Sequence, residues 1–276
     1  MTILVAGATG TVGRSLVRAL VNRGQQVRAL TRAPATADLP PGVEPVAGDL
    51  ADPTTLADAL DGVTAVHLIG FDGPRGAGGG AALDTGPELL RLAERAGVAR
   101  VTLLQNGHSG PMEDAVQTGP LPWTVIAPVG FMANARQWAP AVRAGEPIRE
   151  AFGETASALI HEDDIADVAA VALVEDGHAA QTYVLSGPEA LTVPDQVRQL
   201  GEALGRTVGY VELTEEEAIA DWRGQGFDQE SIDFFLEMGR TTPWIGRTPL
   251  PTVERVTGRP ARTFGQWARE HAPEFA

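Results

Sequence analysis

Three glycines stand at intervals of three in Gly7-Ala8-Thr9-Gly10-Thr11-Val12-Gly13, directly after the apolar run Ile3-Leu4-Val5-Ala6. A helical pattern follows at once, carried by Val12, Leu16, Val17, Leu20 and Val21. A strand, a tight glycine turn and a helix N-terminus together make an anion site. Free backbone N–H groups and the positive end of the helix dipole point at the same spot. Gly7 lets the turn form, Gly10 lets the backbone approach a pyrophosphate, and Gly13 lets the helix pack closely on the strand. The chemistry on offer is dinucleotide binding; the plain alternative is a glycine-rich turn with no ligand.

The side chain that reads an adenosine ribose is expected about 20 residues past the glycines, at the end of the second strand. That stretch is Leu30-Thr31-Arg32-Ala33 and holds no carboxylate. A carboxylate there would repel a 2′-phosphate, whereas a guanidinium can bind one with two hydrogen bonds. Arg32 therefore favours NADP over NAD. Arg14 is either a second contact or a solvated helix residue. In Gly48-Asp49-Leu50, Asp49 falls where an adenine would lie, with Leu50 beside it. Asp49 could instead cap a helix, although Asp52 before Pro53 already suits that role.

These residues need a scaffold, and the hydrophobic pattern predicts one. Residues 2–6, 26–31, 43–47, 63–69, 100–105 and 123–127 read as strands, and 12–23, 53–60, 82–96 and 111–118 as helices. Such alternation predicts an α/β fold, a doubly wound parallel sheet with helices on both faces. Residues 72–80, rich in glycine, read as a loop on the carboxyl edge of the sheet, where ligands bind. Beyond about residue 130 the pattern is mostly helical (163–175, 192–204, 214–223, 228–239, 263–271), with short strands near 182–185 and 208–211. We read two parts: residues 1–130 bind the dinucleotide, and 131–276 form a smaller, mostly helical lobe that supplies the substrate pocket, parts of it packing back on the sheet.

Composition narrows the function. The formal charge of −15 opposes a nucleic-acid partner, since a phosphate backbone would be repelled. There is no cysteine, which removes disulfides, thiolate catalysis and cysteine-bound metals. All 21 basic side chains are arginine, so no step can use a lysine. No apolar run approaches the roughly 18 residues that span a bilayer. The chain opens on a core strand in place of a signal segment, so a cytoplasmic location and no membrane partner are expected. Oligomeric state is not legible.

The sequence resembles the NmrA-like branch of the atypical short-chain dehydrogenases/reductases, with its quinone-oxidoreductase-type members. The likeness rests on the glycine turn, Gly48-Asp49-Leu50, and Leu121-Pro122-Trp123-Thr124-Val125-Ile126-Ala127-Pro128 running into Gly130-Phe131-Met132-Ala133-Asn134. It continues with His161-Glu162-Asp163-Asp164-Ile165-Ala166 and Tyr183-Val184-Leu185-Ser186-Gly187-Pro188. The resemblance implies a Rossmann-type sheet. It implies that Thr9, Gly10, Thr11 and Val12 line the pyrophosphate, and that Leu68, Ile69 and Gly70 pass beside the riboses. Gln105, Asn106 and Pro128 with Val129 would flank the nicotinamide. Phe131 and Met132 would face the substrate, or simply pack the lobe.

Conventional members of that superfamily use a tyrosine whose proton is made mobile by a lysine four residues on. This chain has only Tyr183 and Tyr210, both in its second half, and no lysine. His108 and Ser109, just past the fifth strand, are the candidate catalytic residues, because histidine titrates near neutrality. Otherwise His108 is a loop residue and the product takes its proton from solvent, which suffices for a quinone. Glu113 and Asp114 read as first-turn helix charges. The run His161 to Asp164 has ligand-type side chains, but consecutive residues entering a helix do not converge on one ion, so no metal is expected. Asp163 or Asp164 as helix N-cap is the simpler reading. Trp138 or Trp244 could wall a pocket for a flat aromatic substrate. The sequence thus points to an NADP-dependent oxidoreductase acting on a quinone or conjugated carbonyl, or to a non-catalytic NADP(H)-binding redox sensor.

Overall fold

The computed structural model describes residues 1–72, 81–105 and 110–276. Seven parallel strands form the central sheet: β1 (Thr2–Val5), β2 (Gln26–Thr31), β3 (Glu44–Ala47), β4 (Ala65–Ile69), β5 (Arg100–Leu104), β6 (Trp123–Pro128) and β7 (Gln181–Leu185). Their order across the sheet is β7-β6-β5-β4-β1-β2-β3. The chain runs outward from β1 to β3, then resumes on the other side of β1 with β4. In an open sheet of this kind the crevice at such a reversal is where ligands bind. The glycine turn leaves the carboxyl end of β1 at that reversal.

Alternation of side chains along the strands builds two apolar layers. Ile3 and Val5 point to one face and Leu4 to the other, and all three are buried. On the first face lie α1 (Thr11–Asn22), through Leu16, Val17 and Leu20, and α6 (Glu162–Val174), through Ile165, Val168 and Leu173. The second face is covered by α2 (Ala57–Leu60), α3 (Gly86–Arg95) and α4 (Pro111–Thr118), through Leu60, Leu89, Leu90, Met112 and Val116. Each such large apolar side chain removed from water contributes roughly 1.5–3 kcal/mol. Helix α6 is apolar nearly all round because it lies inside, between the sheet and its neighbours.

Parts of the second half pack on the sheet: α6 covers one face, and one strand joins the sheet itself. Residues 181–185, expected as a short strand of the smaller lobe, pair in parallel with β6 from Gln181↔Thr124 to Leu185↔Pro128. The remainder builds its own core around Trp138, Val142, Ile148, Leu200, Phe264 and Trp267. It comprises α5 (Ala139–Ala144), α7 (Val193–Leu204), α8 (Glu215–Gly224), α9 (Gln229–Arg240) and α11 (Phe264–His271), with Ile148–Glu150 paired to Tyr210–Glu212, whereas α10 (Thr252–Thr257) packs against α6 and buries Val253 in the core of the sheet. The stretch 72–80, read as a loop after β4, is flanked by an antiparallel pairing of Phe71–Asp72 with Ala81–Ala82, and residues 73–80 lie outside the described residues. Among the described residues no helix is long and apolar enough to cross a membrane.

Candidate cofactor and active site

Gly7 turns the chain with φ of +63°, a conformation side chains resist, and the Gly10 N–H closes the turn on the Gly7 carbonyl at 2.8 Å. A Cβ on Gly13 would lie 2.0 Å from that same carbonyl oxygen, so helix and turn meet backbone to backbone. Helix α1 begins with no side-chain cap and no acidic residue in its first turn. Its amide groups at Thr11, Val12 and Gly13 therefore keep their positive field for a ligand. That uncapped cradle at the sheet reversal fits a dinucleotide diphosphate. Arg14 braces the turn: its Nε donates to the Thr9 carbonyl at 2.9 Å and its Nη1 pairs with Asp38 at 3.2 Å.

The other expected cofactor residues ring the same edge. Arg32 follows β2, where the Ala33 N–H donates to Thr31 Oγ1 at 3.2 Å, and its Nη1 meets Asp72 Oδ1 at 2.9 Å. Asp49 Oδ1 accepts the Ala51 N–H at 3.0 Å, while Asp52 caps the turn at Pro53–Leu56 by accepting from Thr54 N–H. Leu50 and Leu68 are buried in the core below the edge. Ile69 lies directly against the glycine turn, its Cδ1 3.3 Å from where a Cβ on Gly7 would sit. Gly70 needs its small size, because a Cβ there would lie 2.8 Å from Glu113 Oε1. Glu113 stands in the first turn of α4, as its position in the sequence indicated; it is buried there and accepts the Gly110 N–H at 2.9 Å. Gln105 hangs on β6 through its N–H to the Ile126 carbonyl, and Pro128 ends β6 opposite Leu185. Asn106, His108 and Ser109 lie outside the described residues.

Of the candidate substrate residues, Phe131 is half-buried and bridges to Ile160. Met132 and Trp138 are core residues of the second half, and the Trp138 indole N–H donates to Glu150 at 2.7 Å. Trp244 is 63% exposed, at the start of the 3₁₀ turn Trp244–Arg247. That turn is tied to Phe131 through one strip of chain. The Ala158 N–H donates to Gly246, and Ile160 exchanges bonds with Gly130 and Met132 at 2.8 and 2.9 Å.

Neither tyrosine is a mobile acid. Burial pushes the Tyr183 phenol up against the opposing charge of Arg255, and its hydroxyl meets His178 Nδ1 at 2.8 Å. Burial and the carboxylates of Glu212, Glu150 and Glu154 drive Tyr210 up to about 12. General acids work best with a pKa near the operating pH, and both groups move away from it.

A polar cluster that sequence reasoning missed stands beside the turn. A cavity of about 690 Å³ runs from Thr9, Gly10 and Thr11 to Arg136, Glu162 and His271. The cap of α6 here is His161, not Asp163 or Asp164: its Nδ1 accepts the Asp163 N–H at 3.0 Å. The ring then carries its proton on Nε2, which donates to Glu270 at 3.1 Å. Asp164 instead holds Arg262, and Asp167 holds Arg259 and Arg262. Burial would raise Glu162, but the His271 hydrogen bond, its own backbone N–H and the charge of Arg136 outweigh it and hold it at about 2. His161, Glu162 and His271 do bring ligand-type atoms within 4.8 Å of one another. Both His161 nitrogens are already committed, however, and Arg136 supplies the positive charge, 3.2 Å from Glu162. Only the pairing of positions more than 100 apart in sequence, such as His161 with Glu270, assembles this group.

A family profile described as NAD(P)H-binding matches residues 7–111. The chain is 34% identical over 99% of both proteins to the (4-alkanoyl-5-oxo-2,5-dihydrofuran-3-yl)methyl phosphate reductase of Streptomyces griseus. It is 36% identical, again over 99% of both, to the NAD(P)H azoreductase of Xenophilus azovorans. The chain belongs to the NmrA-like atypical short-chain dehydrogenase/reductase family. It is, with that family, an NAD(P)H-binding oxidoreductase. The fold agrees: the Escherichia coli NADPH-dependent quinone oxidoreductase, solved with NADPH, superposes with a TM-score of 0.76 at 22% identity, covering 97% of this chain and 99% of that one. In this NmrA-like chain the glycine turn is intact, and the tyrosine–lysine pair of conventional members is missing.

Proposed function

We propose that this protein is an NADPH-dependent reductase whose acceptor is flat and conjugated, a quinone or a related carbonyl or azo compound. The observation that carries the reading is the uncapped glycine turn together with Arg32, and no carboxylate of the same strand end, just past β2, where an adenosine ribose would lie. The diphosphate would rest on the amides of Thr11, Val12 and Gly13, with Ile69 and Gly70 beside the riboses and Gln105, Asn106 and Pro128 beside the nicotinamide. The bound cofactor supplies hydride. Phe131 and Trp244 offer aromatic faces on the acceptor side, and Met132 and Trp138 back them from the core. Reduction of a quinone leaves a stabilised phenolate that water can protonate, so a dedicated tyrosine is dispensable. Relatives named as an azoreductase and as a reductase of a (4-alkanoyl-5-oxo-2,5-dihydrofuran-3-yl)methyl phosphate support this substrate class.

The test is NADPH oxidation, followed at its absorbance band, against quinones, an azo dye and a conjugated lactone. Saturable turnover with one of them is expected, faster with NADPH than with NADH. Tight NADPH binding with no turnover on any acceptor would overturn the enzymatic reading and leave a nucleotide sensor.

A further inference from the structure

The carboxylate absent from the end of β2 arrives from elsewhere in the chain. Arg32 follows β2 and Asp72 follows β4, with β1 between them in the sheet, so their 2.9 Å bridge spans the strand that feeds the glycine turn. Asp72 is placed there by a short ladder: Phe71 and Asp72 pair with Ala82 and Ala81, and the Leu83 N–H donates to the Gly70 carbonyl at 3.0 Å. The two side chains are 60% and 41% exposed, so a ligand can reach both.

We propose that Asp72 is a specificity-determining residue that holds down the preference for a 2′-phosphate by competing for Arg32. The proposal rests on the reading that Arg32 meets the adenosine ribose. An exposed pair of this kind shifts an equilibrium by less than about fivefold, so a phosphate that binds the guanidinium through two oxygens displaces it. The displaced carboxylate remains near the phosphate and repels it. With a bare ribose the balance reverses: the bridge persists, and the carboxylate can accept a hydrogen bond from a 2′-hydroxyl. Arginine and aspartate together therefore bring NADP and NAD closer in affinity than arginine alone would.

The experiment is calorimetric titration of the full chain with 2′,5′-ADP and with 5′-AMP, which reads binding independently of turnover. Asp72→Asn is expected to tighten 2′,5′-ADP about three- to tenfold while 5′-AMP stays the same or weakens. Asp72→Ser, with melting checked on each variant, should do the same. Arg32→Gln should collapse the advantage of 2′,5′-ADP and, in the double variant, most of the Asp72 effect. If Arg32→Gln collapses that advantage while both Asp72 variants leave the ratio of the two ligands within twofold, the Asp72 proposal fails alone. An unchanged ratio in Arg32→Gln would overturn the Arg32 reading and the proposal with it.

Discussion

The carbonyl oxygen of Gly7 stands 2.0 Å from the point where a Cβ on Gly13 would sit. Backbone on both sides leaves nothing to swing aside. Gly13→Ala is therefore expected to push α1 off the turn, at a cost of about 1–3 kcal/mol and a Tm lower by several degrees. Because the displaced amides are those offered to the diphosphate, NADPH affinity should fall in parallel, by tenfold or more. Calorimetric melting and titration check both; an unchanged affinity would show that the diphosphate does not rest on this turn.

Reversing the charge at Arg32 separates the two cofactors. Arg32→Glu should weaken NADPH by at least about tenfold, in line with roughly 1.5–3 kcal/mol for hydrogen bonds to a charged group, and should leave NADH little changed. Comparison of KM for the two cofactors reads this directly. Unchanged NADPH preference would mean that Arg32 does not meet the 2′-phosphate.

Both tyrosines should be dispensable for chemistry. Tyr183→Phe and Tyr210→Phe are expected to keep kcat within about threefold, since neither phenol is tuned toward neutral pH. A loss of about 100-fold in either, with folding intact, would identify a general acid and overturn solvent protonation.

Glu162 sets an acid limit on stability. Its folded pKa, about 2, lies below its ordinary 4.5, so its contribution is complete above pH 4.5 and disappears as pH falls through about 2. The difference corresponds to about 3 kcal/mol. His271 behaves oppositely. Burial and the charge of Arg136 lower it, but the hydrogen bond to Glu162 and the charges of Glu162 and Glu274 outweigh them and raise it above 6.5. Its contribution is present below 6.5 and fades as pH rises through its folded pKa. Denaturant titrations of Glu162→Gln should show both slopes flattened, with the largest loss relative to the parent between pH 4.5 and 6.5. Equal losses at pH 2 and pH 5.5 would rule out this coupling.

Much of the scaffold was legible in the sequence because strands and helices announce themselves through local periodicity and local sterics. The second strand, Gln26–Thr31, and the helix Pro111–Thr118 occupy the residues their patterns indicated. Gly7 and Gly13 could be assigned their roles because the glycine spacing between strand and helix is itself local, and the φ of +63° at Gly7 and the backbone contact at Gly13 both disfavour a side chain. The short helices at 139–144 and 252–257 escaped notice, since six residues hold too little periodic signal.

What the chain alone determined was a nucleotide cradle and the absence of lysine chemistry beside it, both matters of residue type and short spacing. Tertiary structure decided which distant groups meet. The partner of Arg32 is 40 residues away, and the acid packed against Gly70 comes from α4. The cap of α6 is a histidine held by Glu270, and residues 181–185 join the main sheet. None of these has a local signature. Each depends on burial and strand order, which bring together groups whose separation along the chain carries no information about their separation in space.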